Sequence, residues 1–388
     1  MKILIISHLF PNKIRPLYGV FVKERAKYIS KKVNVRIVAP VPYFPMANLL
    51  SRYRNTDRIE SREVTDGLSV FHPKYLVIPG LFKFSDGYLY YLSLNSFITD
   101  IARDNSADLL DFQWGYPDAF AGVIWARKLN KKIILTVRGN ASICFFEKSL
   151  RRKMVLNSLR FIDHIVTVSN DLKEKLISSY RISDQKITVI GNGINSREFY
   201  KSNKNEARKI CGLESEKKYI LSLSRLSFEK GIVYLLKAFA SIKTDNVILL
   251  IGGEGPQKKQ LQKITHDLNI HSNVHFIGGI PHAETIHWYN ASDVYCLPSL
   301  WEGCPNTIIE ALACGTPVVS TLVGGIPDLV NSKAGYLVPP KDSNALAYAL
   351  ESAIKRDWNF SEITAIGQSN SWDHVADRTI EVYRRVLG

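Results

Sequence analysis

The sequence predicts an α/β protein with parallel sheets and more than one domain, and three observations lead to this fold class. Short apolar runs typical of buried strands alternate with helical patterns along the chain. The length of 388 residues is sufficient for two or three domains, each with its own core. Polar residues follow several strand ends, which is where parallel α/β sheets bind ligands. We place the domain boundary at the polar stretch that opens with Ser196, so that the domains cover 1–195 and 196–371, with a last helix in 372–388.

The N-terminal half alternates strands and helices, beginning with the apolar run at Lys2. The predicted strands are 2–7, 33–39, 108–112, 132–137 and 164–169, and the predicted helices are 21–31, 117–129 and 147–161. No G-x-G-x-x-G pattern follows the first strand, which argues against a dinucleotide-binding dehydrogenase. The same N-terminal apolar run is too short for the core of a signal peptide. Five cysteines without metal-type spacing indicate reduced, mostly buried thiols in a cytosolic protein.

Positive charge is concentrated in the N-terminal half. Residues 1–200 hold 31 Lys and Arg against 17 Asp and Glu, whereas residues 201–388 hold 20 against 19. This asymmetry favours an anionic partner for the N-terminal half, either a nucleic acid or an acidic membrane surface, although solubility alone would also explain it. Because no nucleic-acid-binding motif is present, we expect no nucleic-acid partner.

The segment 41–92 has no clear periodicity, and it mixes apolar and aromatic residues with cations. These residues are Tyr43, Phe44, Met46, Leu49, Leu50, Arg52, Arg54, Arg58, Leu81, Phe82, Lys83, Phe84, Tyr88, Tyr90 and Tyr91. Such a mixture is typical of a membrane interface or of a site for a lipid-linked acceptor, but a packed helix pair would give the same pattern. The basic amphipathic helix predicted at 147–161 is a second candidate membrane contact, and a solvated helix face explains it equally well.

The C-terminal half continues the alternation and carries polar residues after its strands. The predicted strands are 219–224, 247–251, 274–277, 294–298 and 316–320. The predicted helices include 232–242, a helix that starts at Pro305 and Asn306 and ends at Gly315, and 372–387. Arg225 and Lys230 follow the first of these strands, where two cations at a helix start could hold a diphosphate. His282 and His287 lack metal-type spacing and are expected at the surface. Asp66-Gly67 and Asp86-Gly87 are expected in turns, and no Asp-x-Asp pair is present to hold a metal.

The stretch SLWEGCPNTIIEALACGTPVVS, residues 299–320, forms a strand–loop–helix–strand unit with two carboxylates, Glu302 and Glu310. Were the span helical, eight residues would separate the carboxylates by roughly 12 Å. Paired carboxylates in glycoside hydrolases lie about 5 to 9.5 Å apart. The spacing therefore favours two contacts along an elongated ligand, with the free N–H groups of the helix start between them as a seat for phosphate. A solvated loop glutamate and a helix-surface glutamate are the alternative.

The E-x7-E spacing followed by A-L-A-C-G-T-P-V-V closely resembles the signature of the family 4 glycosyltransferases, which are retaining enzymes of GT-B fold. The resemblance implies two Rossmann-like domains that face a central cleft, with the last helix crossing back to the N-terminal domain. It implies that Glu302 contacts the donor sugar and Glu310 the donor ribose. It also implies that the intervening backbone, with Gly303, Asn306, Thr307 and Ile308, holds the donor and its phosphate.

Four further residues take roles from the resemblance. Gly19 corresponds to the glycine-rich first loop, whose backbone approaches the diphosphate, and Ile280 to the backbone seat of the nucleobase. Arg225 and Lys230 correspond to the clamp on the leaving diphosphate. Arg138 stands where the family often has a histidine near the reaction centre, and it cannot act as a general base because arginine stays protonated.

The expected activity is therefore that of a metal-independent hexosyltransferase. It would move a sugar, with retention, from a nucleotide-diphosphate sugar to a glycan or lipid-linked acceptor, without a cofactor. We expect a cytoplasmic protein, peripheral on the inner face of the cell membrane, in envelope or exopolysaccharide biosynthesis. The N-terminal domain would bind the acceptor and the C-terminal domain the nucleotide sugar. Because Arg138 replaces histidine, the alternative is a non-catalytic relative that binds nucleotides or glycans.

Overall fold

The computed structural model describes residues 1–45, 50, 53–80, 83–104, 106–145, 149–242 and 246–388. The chain forms two compact units, Met1–Asn192 with Trp372–Gly388, and Gly193–Ser371. Of the residues in the two candidate membrane-contact segments, Met46, Leu49, Arg52, Leu81, Phe82, Glu147 and Lys148 lie outside the described residues.

The first unit is built on a sheet of eight strands. Its strands are β1 Lys2–Ile6, β2 Asn34–Val38, β4 Arg62–Thr65, β5 Leu68–Phe71, β7 Leu109–Phe112, β8 Lys132–Val137, β9 His164–Thr167 and β10 Ile187–Val189, while β3 Val41–Tyr43 and β6 Lys74–Leu76 pair separately. The order is β10-β9-β8-β7-β1-β2-β5-β4, and within it only β4 and β5 pair antiparallel. The parallel strands therefore end together at one edge of the sheet.

Helices of the first unit cover this sheet. They are α1 Val20–Ser30, α2 Asp86–Asp104, α3 Phe120–Leu129, α4 Leu150–Leu159, α5 Asn170–Tyr180 and α13 Trp372–Leu387, and a π-helical turn spans Gly115–Ala119. The last helix, α13, packs on α1 and buries Val375, Ile380 and Tyr383. Each fully buried side chain of this kind stabilises the fold by about 1.5–3 kcal/mol. The sequence therefore correctly placed the last helix, and it lies with the N-terminal sheet.

The second unit contains a six-stranded, fully parallel sheet in the order β13-β12-β11-β14-β15-β16. Its strands are β11 Lys218–Leu223, β12 Val247–Gly252, β13 Val274–Gly278, β14 Val294–Leu297, β15 Val318–Thr321 and β16 Gly335–Val338. Its helices are α6 Lys204–Ile210, α7 Ile232–Ala240, α8 Lys258–Asp267, α9 Thr285–Ala291, α10 Asn306–Ala313, α11 Ser343–Lys355 and α12 Phe360–Gln368. Strands buried on both faces explain the near-continuous apolar runs read from the sequence.

The described part of segment 41–92 differs from the sequence prediction. It contains β3 to β6 and the start of α2, joined by irregular stretches, and these elements are not a helix pair. Asp66 and Gly67 form the expected turn, both at positive φ, between the antiparallel strands β4 and β5. The prediction of a turn at Asp86-Gly87 is wrong, since Asp86 begins α2, where an acidic side chain suits the helix N-terminus.

Two other predictions concern the basic helix and the cysteines. The described helix α4 starts at Leu150 and buries Met154, Val155 and Leu159, so one face of it belongs to the core. The five cysteines are free thiols, three of them buried, as expected. Among the described residues, no helix is long and apolar enough to cross a membrane.

Candidate functional site

The candidate site of the second unit lies at the ends of two neighbouring parallel strands. Strand β11 leads into Arg225 and Lys230, and β14 leads into Glu302, with Ile220 paired to Val294 in the register between them. Because both strands end at the same edge of the sheet, Lys230 and Glu302 meet although they are 72 residues apart in the chain. This is the position at which open α/β sheets bind ligands.

Lys230 and Glu302 form a partly buried ion pair. The Lys230 Nζ lies 2.6 Å from Glu302 Oε1, and the two side chains are 22% and 10% exposed. The Ser299 hydroxyl donates to the same carboxylate oxygen at 2.6 Å. A charge-assisted pair with reduced solvent access holds both side chains in one geometry. The sequence predicted Lys230 and Glu302 as site residues, and the structure brings them together.

Gly231 explains how closely the two loops approach. Its φ is +64°, and a Cβ built on it would lie 2.2 Å from the carbonyl oxygen of Pro298. The Leu300 N–H also donates to the Glu229 carbonyl at 2.8 Å. A side chain at this position would separate the two loops, so the glycine is needed for the ion pair.

Glu310, on α10, is held by two side chains of α9 and the turn before it. It is buried, and its Oε2 accepts a hydrogen bond from the Tyr289 hydroxyl at 2.8 Å. Burial raises the pKa of Tyr289 well above its ordinary value, so the phenol stays protonated and donates. The Oε1 of Glu310 lies 3.2 Å from His282 Nε2. Glu302 and Glu310 thus have different partners.

His282 and Tyr289 are functional candidates that the sequence reasoning missed. His282 was expected to be a surface residue, and it is 55% exposed, yet it contacts Glu310. Only its position two residues after Ile280 was a signal, and the contact itself is a property of the tertiary fold. Ile280 is half-buried, with its Cδ1 beside Gly252 in the neighbouring strand β12.

The rest of the predicted donor-binding residues surround the start of α10. Helix α10 begins at Asn306, followed by Thr307 and Ile308, and its N-cap is Pro305, which makes no side-chain cap hydrogen bond. The carbonyl of Gly303 accepts from the Gly325 N–H at 2.8 Å, which fixes the loop against the 323–328 segment. Arg225 is exposed after β11. The helix N-terminus, with its partial positive charge, thus follows directly on the Glu302 loop.

The two predicted site residues of the first unit have different environments. Gly19 caps α1 with φ +76°, and a Cβ there would lie 2.5 Å from the carbonyl oxygen of Leu9, so only glycine fits. Arg138 is buried, and its guanidinium donates to Gln113 Oε1 and, at 3.2 Å, to Asn192 Oδ1. Its role in catalysis stays a prediction, since these contacts make it part of a buried polar network.

That network includes Asp111, another residue that the sequence reasoning missed. Asp111 is 1% exposed and accepts a hydrogen bond from the Tyr383 hydroxyl of α13 at 2.5 Å. Burial raises the pKa of Asp111 to about 6, although Tyr383, Arg25 and Arg138 each act in the opposite direction. The network therefore ties the last helix to the end of β7.

Among the described residues, no group of three or more His, Cys, Asp or Glu side chains is placed to hold a metal ion. Metal independence therefore stays a prediction.

Comparisons with known proteins cover both units. A family model described as Glycosyltransferase Family 4 matches residues 19–198, and one described as Glycosyl transferases group 1 matches residues 203–365. The putative teichuronic acid biosynthesis glycosyltransferase TuaC of Bacillus subtilis is 28% identical over 90% of this chain and 88% of its own length. The uncharacterized glycosyltransferase MJ1607 of Methanocaldococcus jannaschii is 32% identical over 57% of this chain, and the match spans only 59% of that protein.

A solved structure supports the same fold. The Anabaena protein Alr3699/HepE in complex with UDP has a TM-score of 0.77 and 19% identity, over 99% of this chain and 100% of that chain. Together with the two mainly parallel sheets, this likeness confirms the predicted GT-B fold with two Rossmann-like domains.

Proposed function

The chain belongs to the family 4 glycosyltransferases, and we propose that it transfers a hexosyl group, with retention, from a nucleotide-diphosphate sugar to a glycan or lipid-linked acceptor. The single observation that carries the proposal is the Lys230–Glu302 pair at the ends of two adjacent strands, 2.6 Å apart. A cation and a carboxylate at this edge suit a donor that is anionic at its diphosphate and rich in hydroxyls at its sugar. UDP in the HepE structure supports a nucleotide donor of this kind.

In the proposed reaction, the residues of the second unit divide the donor between them. Arg225, Lys230 and the start of α10 stabilise the charge that develops on the diphosphate as its bond to the anomeric carbon breaks. Glu302 accepts hydrogen bonds from the sugar. Glu310, held by the Tyr289 hydroxyl at 2.8 Å, accepts them from the ribose.

We propose that these protein groups supply the charge stabilisation without a metal ion or a cofactor. Retention would follow from front-face attack, in which the acceptor hydroxyl approaches the anomeric carbon from the same side as the one from which the diphosphate departs. The acceptor oxygen bonds to the anomeric carbon, the electron pair of the broken bond stays with the diphosphate, and the hydroxyl proton passes to the leaving group. Arg138 stays a predicted catalytic residue of the first unit.

For the acceptor, we propose a glycan or lipid-linked glycan of the cell envelope, used at the cytoplasmic face of the membrane. The name of the relative TuaC refers to teichuronic acid, an observation in favour of a polysaccharide pathway. The first unit also exposes large apolar side chains, among them Leu17, Tyr88 and Leu92. Interleaved with the excess of Lys and Arg in residues 1–200, they suit an anionic membrane surface.

A panel of nucleotide sugars tests the proposal, with nucleotide diphosphate release measured without added metal, and with and without lipid-linked acceptors. We expect release from one donor, reduced about 10²- to 10³-fold in Lys230→Ala, because one group that stabilises transition-state charge is lost. Glu310→Ala should raise the KM of the donor. The matched control is Lys333→Ala, which removes the exposed Lys333–Glu362 pair of the same unit.

Release that persists in Lys230→Ala would contradict the assignment of the diphosphate clamp. Binding of a nucleotide without release from any donor would instead identify a non-catalytic relative.

A further inference from the structure

The first unit contains a cavity of about 590 Å³, and every described residue that lines it belongs to this unit. This volume lies within the roughly 300–1,000 Å³ of small-molecule sites. Its lining combines aromatic side chains with a few polar ones, the former being Tyr18, Tyr53, Tyr75, Trp114 and Tyr116, and the latter including His8. Aromatic rings offer apolar faces to the C–H faces of a sugar, and the polar groups can meet its hydroxyls.

We propose that this cavity binds a pyranose ring of the acceptor, and that His8 Nε2 accepts a hydrogen bond from one of its hydroxyls. The proposal rests on the proposed function, because it names the part of the acceptor that this unit recognises. It assigns the binding role to His8, which follows strand β1 and Ser7 in the chain.

Asp118 fixes His8 through two contacts. Its Oδ1 lies 2.8 Å from His8 Nδ1, and its Oδ2 accepts from the His8 backbone N–H at 3.2 Å. The Asp118 side chain is 0% exposed, whereas that of His8 is 17% exposed. A carboxylate at Nδ1 holds the ring proton on that nitrogen, and in the neutral imidazole of this tautomer Nε2 is the acceptor. Nε2 is therefore placed to accept a hydrogen bond from a hydroxyl group of the ligand.

The surroundings of His8 keep this geometry rigid. Trp114 packs edge-on against the imidazole, with ring centroids 5.9 Å apart. Tyr116 is fixed by two hydrogen bonds, since its hydroxyl donates to the Phe84 carbonyl at 2.6 Å and accepts from the Gly87 N–H at 2.8 Å. A preformed wall loses little side-chain freedom when a ligand binds.

A second histidine–carboxylate pair in the same unit shows the contrast. His72 Nε2 lies 2.9 Å from Glu63 Oε1, and its Nδ1 lies 3.0 Å from the Ala39 carbonyl oxygen. Both ring nitrogens are thus occupied by the protein, and His72 does not line the cavity. Within the part of the chain that the structure describes, His8 Nε2 has no such protein partner. The two pairs therefore have the same chemistry, but only His8 is available to a ligand.

The experiment uses the full chain and a panel of octyl glycopyranosides of glucose, galactose and N-acetylglucosamine, with binding measured by saturation-transfer NMR. We expect at least one glycoside to bind, with its affinity about 3- to 10-fold lower in His8→Asn, which keeps a donor for Asp118 but has no atom at the position of Nε2; this is the value for one lost hydrogen bond. UDP affinity should be unchanged, and His72→Asn is the matched control for general effects on the unit. Absence of binding by every glycoside, or equal affinity in His8→Asn, would overturn the proposal.

A second measurement needs no variant and so does not depend on the folding of one. In wild-type protein labelled at its histidines, the imidazole ¹⁵N signals should show His8 as the Nδ1–H tautomer. Added glycoside should shift Nε2 of His8 and leave His72 unmoved, and a shift of neither would contradict the assignment.

Donor release is assayed separately on the same samples. Glycoside binding at His8 without any donor release would refute the proposed function but not the cavity. Donor release that is unchanged by substitution of His8, without glycoside binding, would refute the role of the cavity but not the proposed function.

Discussion

Asp111→Asn tests the buried network that links the last helix to the first sheet. In the folded state, burial raises the pKa of Asp111 from 3.8 to about 6. A carboxyl group whose pKa is raised on folding contributes stability below its unfolded pKa and loses that contribution as the pH rises through the folded value. With 1.36 kcal/mol per pKa unit, the full loss from a pH well below 3.8 to a pH well above 6 is about 3 kcal/mol, and about 2 kcal/mol of it falls between pH 4.5 and pH 8. Asparagine has the same shape, can accept from the Tyr383 hydroxyl and does not titrate.

The assay is urea unfolding of wild type and Asp111→Asn at pH 4.5, 6 and 8, followed by tryptophan fluorescence. We expect the free energy of unfolding of wild type, relative to the variant, to fall by about 2 kcal/mol across this range, with its steepest change near pH 5, between the unfolded and folded pKa values. Asp100→Asn, on the surface of α2, is the matched control. A difference between wild type and Asp111→Asn that stays constant with pH would refute the reasoning.

Three further predictions concern the loop, the donor site and the membrane. Gly231→Ala should lower the midpoint of thermal unfolding more than Gly212→Ala, which has a similar φ of +67° but open space around it and should cost only about 1–2 kcal/mol; equal losses would show that the loop contact is unimportant. Tyr289→Phe removes a hydroxyl donor, so the KM of the donor should rise about 3- to 10-fold, whereas Tyr348→Phe, 76% exposed, should leave it unchanged. Leu92→Ser should weaken sedimentation with anionic vesicles, whereas Tyr348→Ser should bind as wild type does. Salt should weaken the binding of wild type, because it screens the attraction of Lys and Arg to the anionic surface.

The sequence predicted the alternating strands and helices well because both sheets are mainly parallel and buried. Each strand is therefore a nearly continuous apolar run, as at Val294–Leu297, and each can be recognised locally. The segment 41–92 failed because its strands are only three or four residues long, too short to establish a period of two. Lys230 and Glu302 could be predicted as residues of one site because strand ends in a parallel sheet share an edge, whereas their ion pair is seen only in the structure.

Other parts of the site could not be predicted from local pattern. His282 reaches Glu310 across 28 residues, and Tyr383 reaches Asp111 across 272. Such contacts are set by the packing of helices on sheets rather than by spacing along the chain. Arg138 illustrates the same limit, because its alignment with a family position carried no information about its contacts to Gln113 and Asn192.

The anomeric configuration of the product tests the central claim most directly. Once the active donor is identified, ¹H NMR of the purified product gives the coupling constant between the anomeric proton and its neighbour in the transferred sugar. The account predicts that wild type and Lys333→Ala form a product with the same anomeric configuration as the nucleotide sugar. In Lys230→Ala, the formation of this product should fall together with donor release. Transfer with inverted configuration would contradict it.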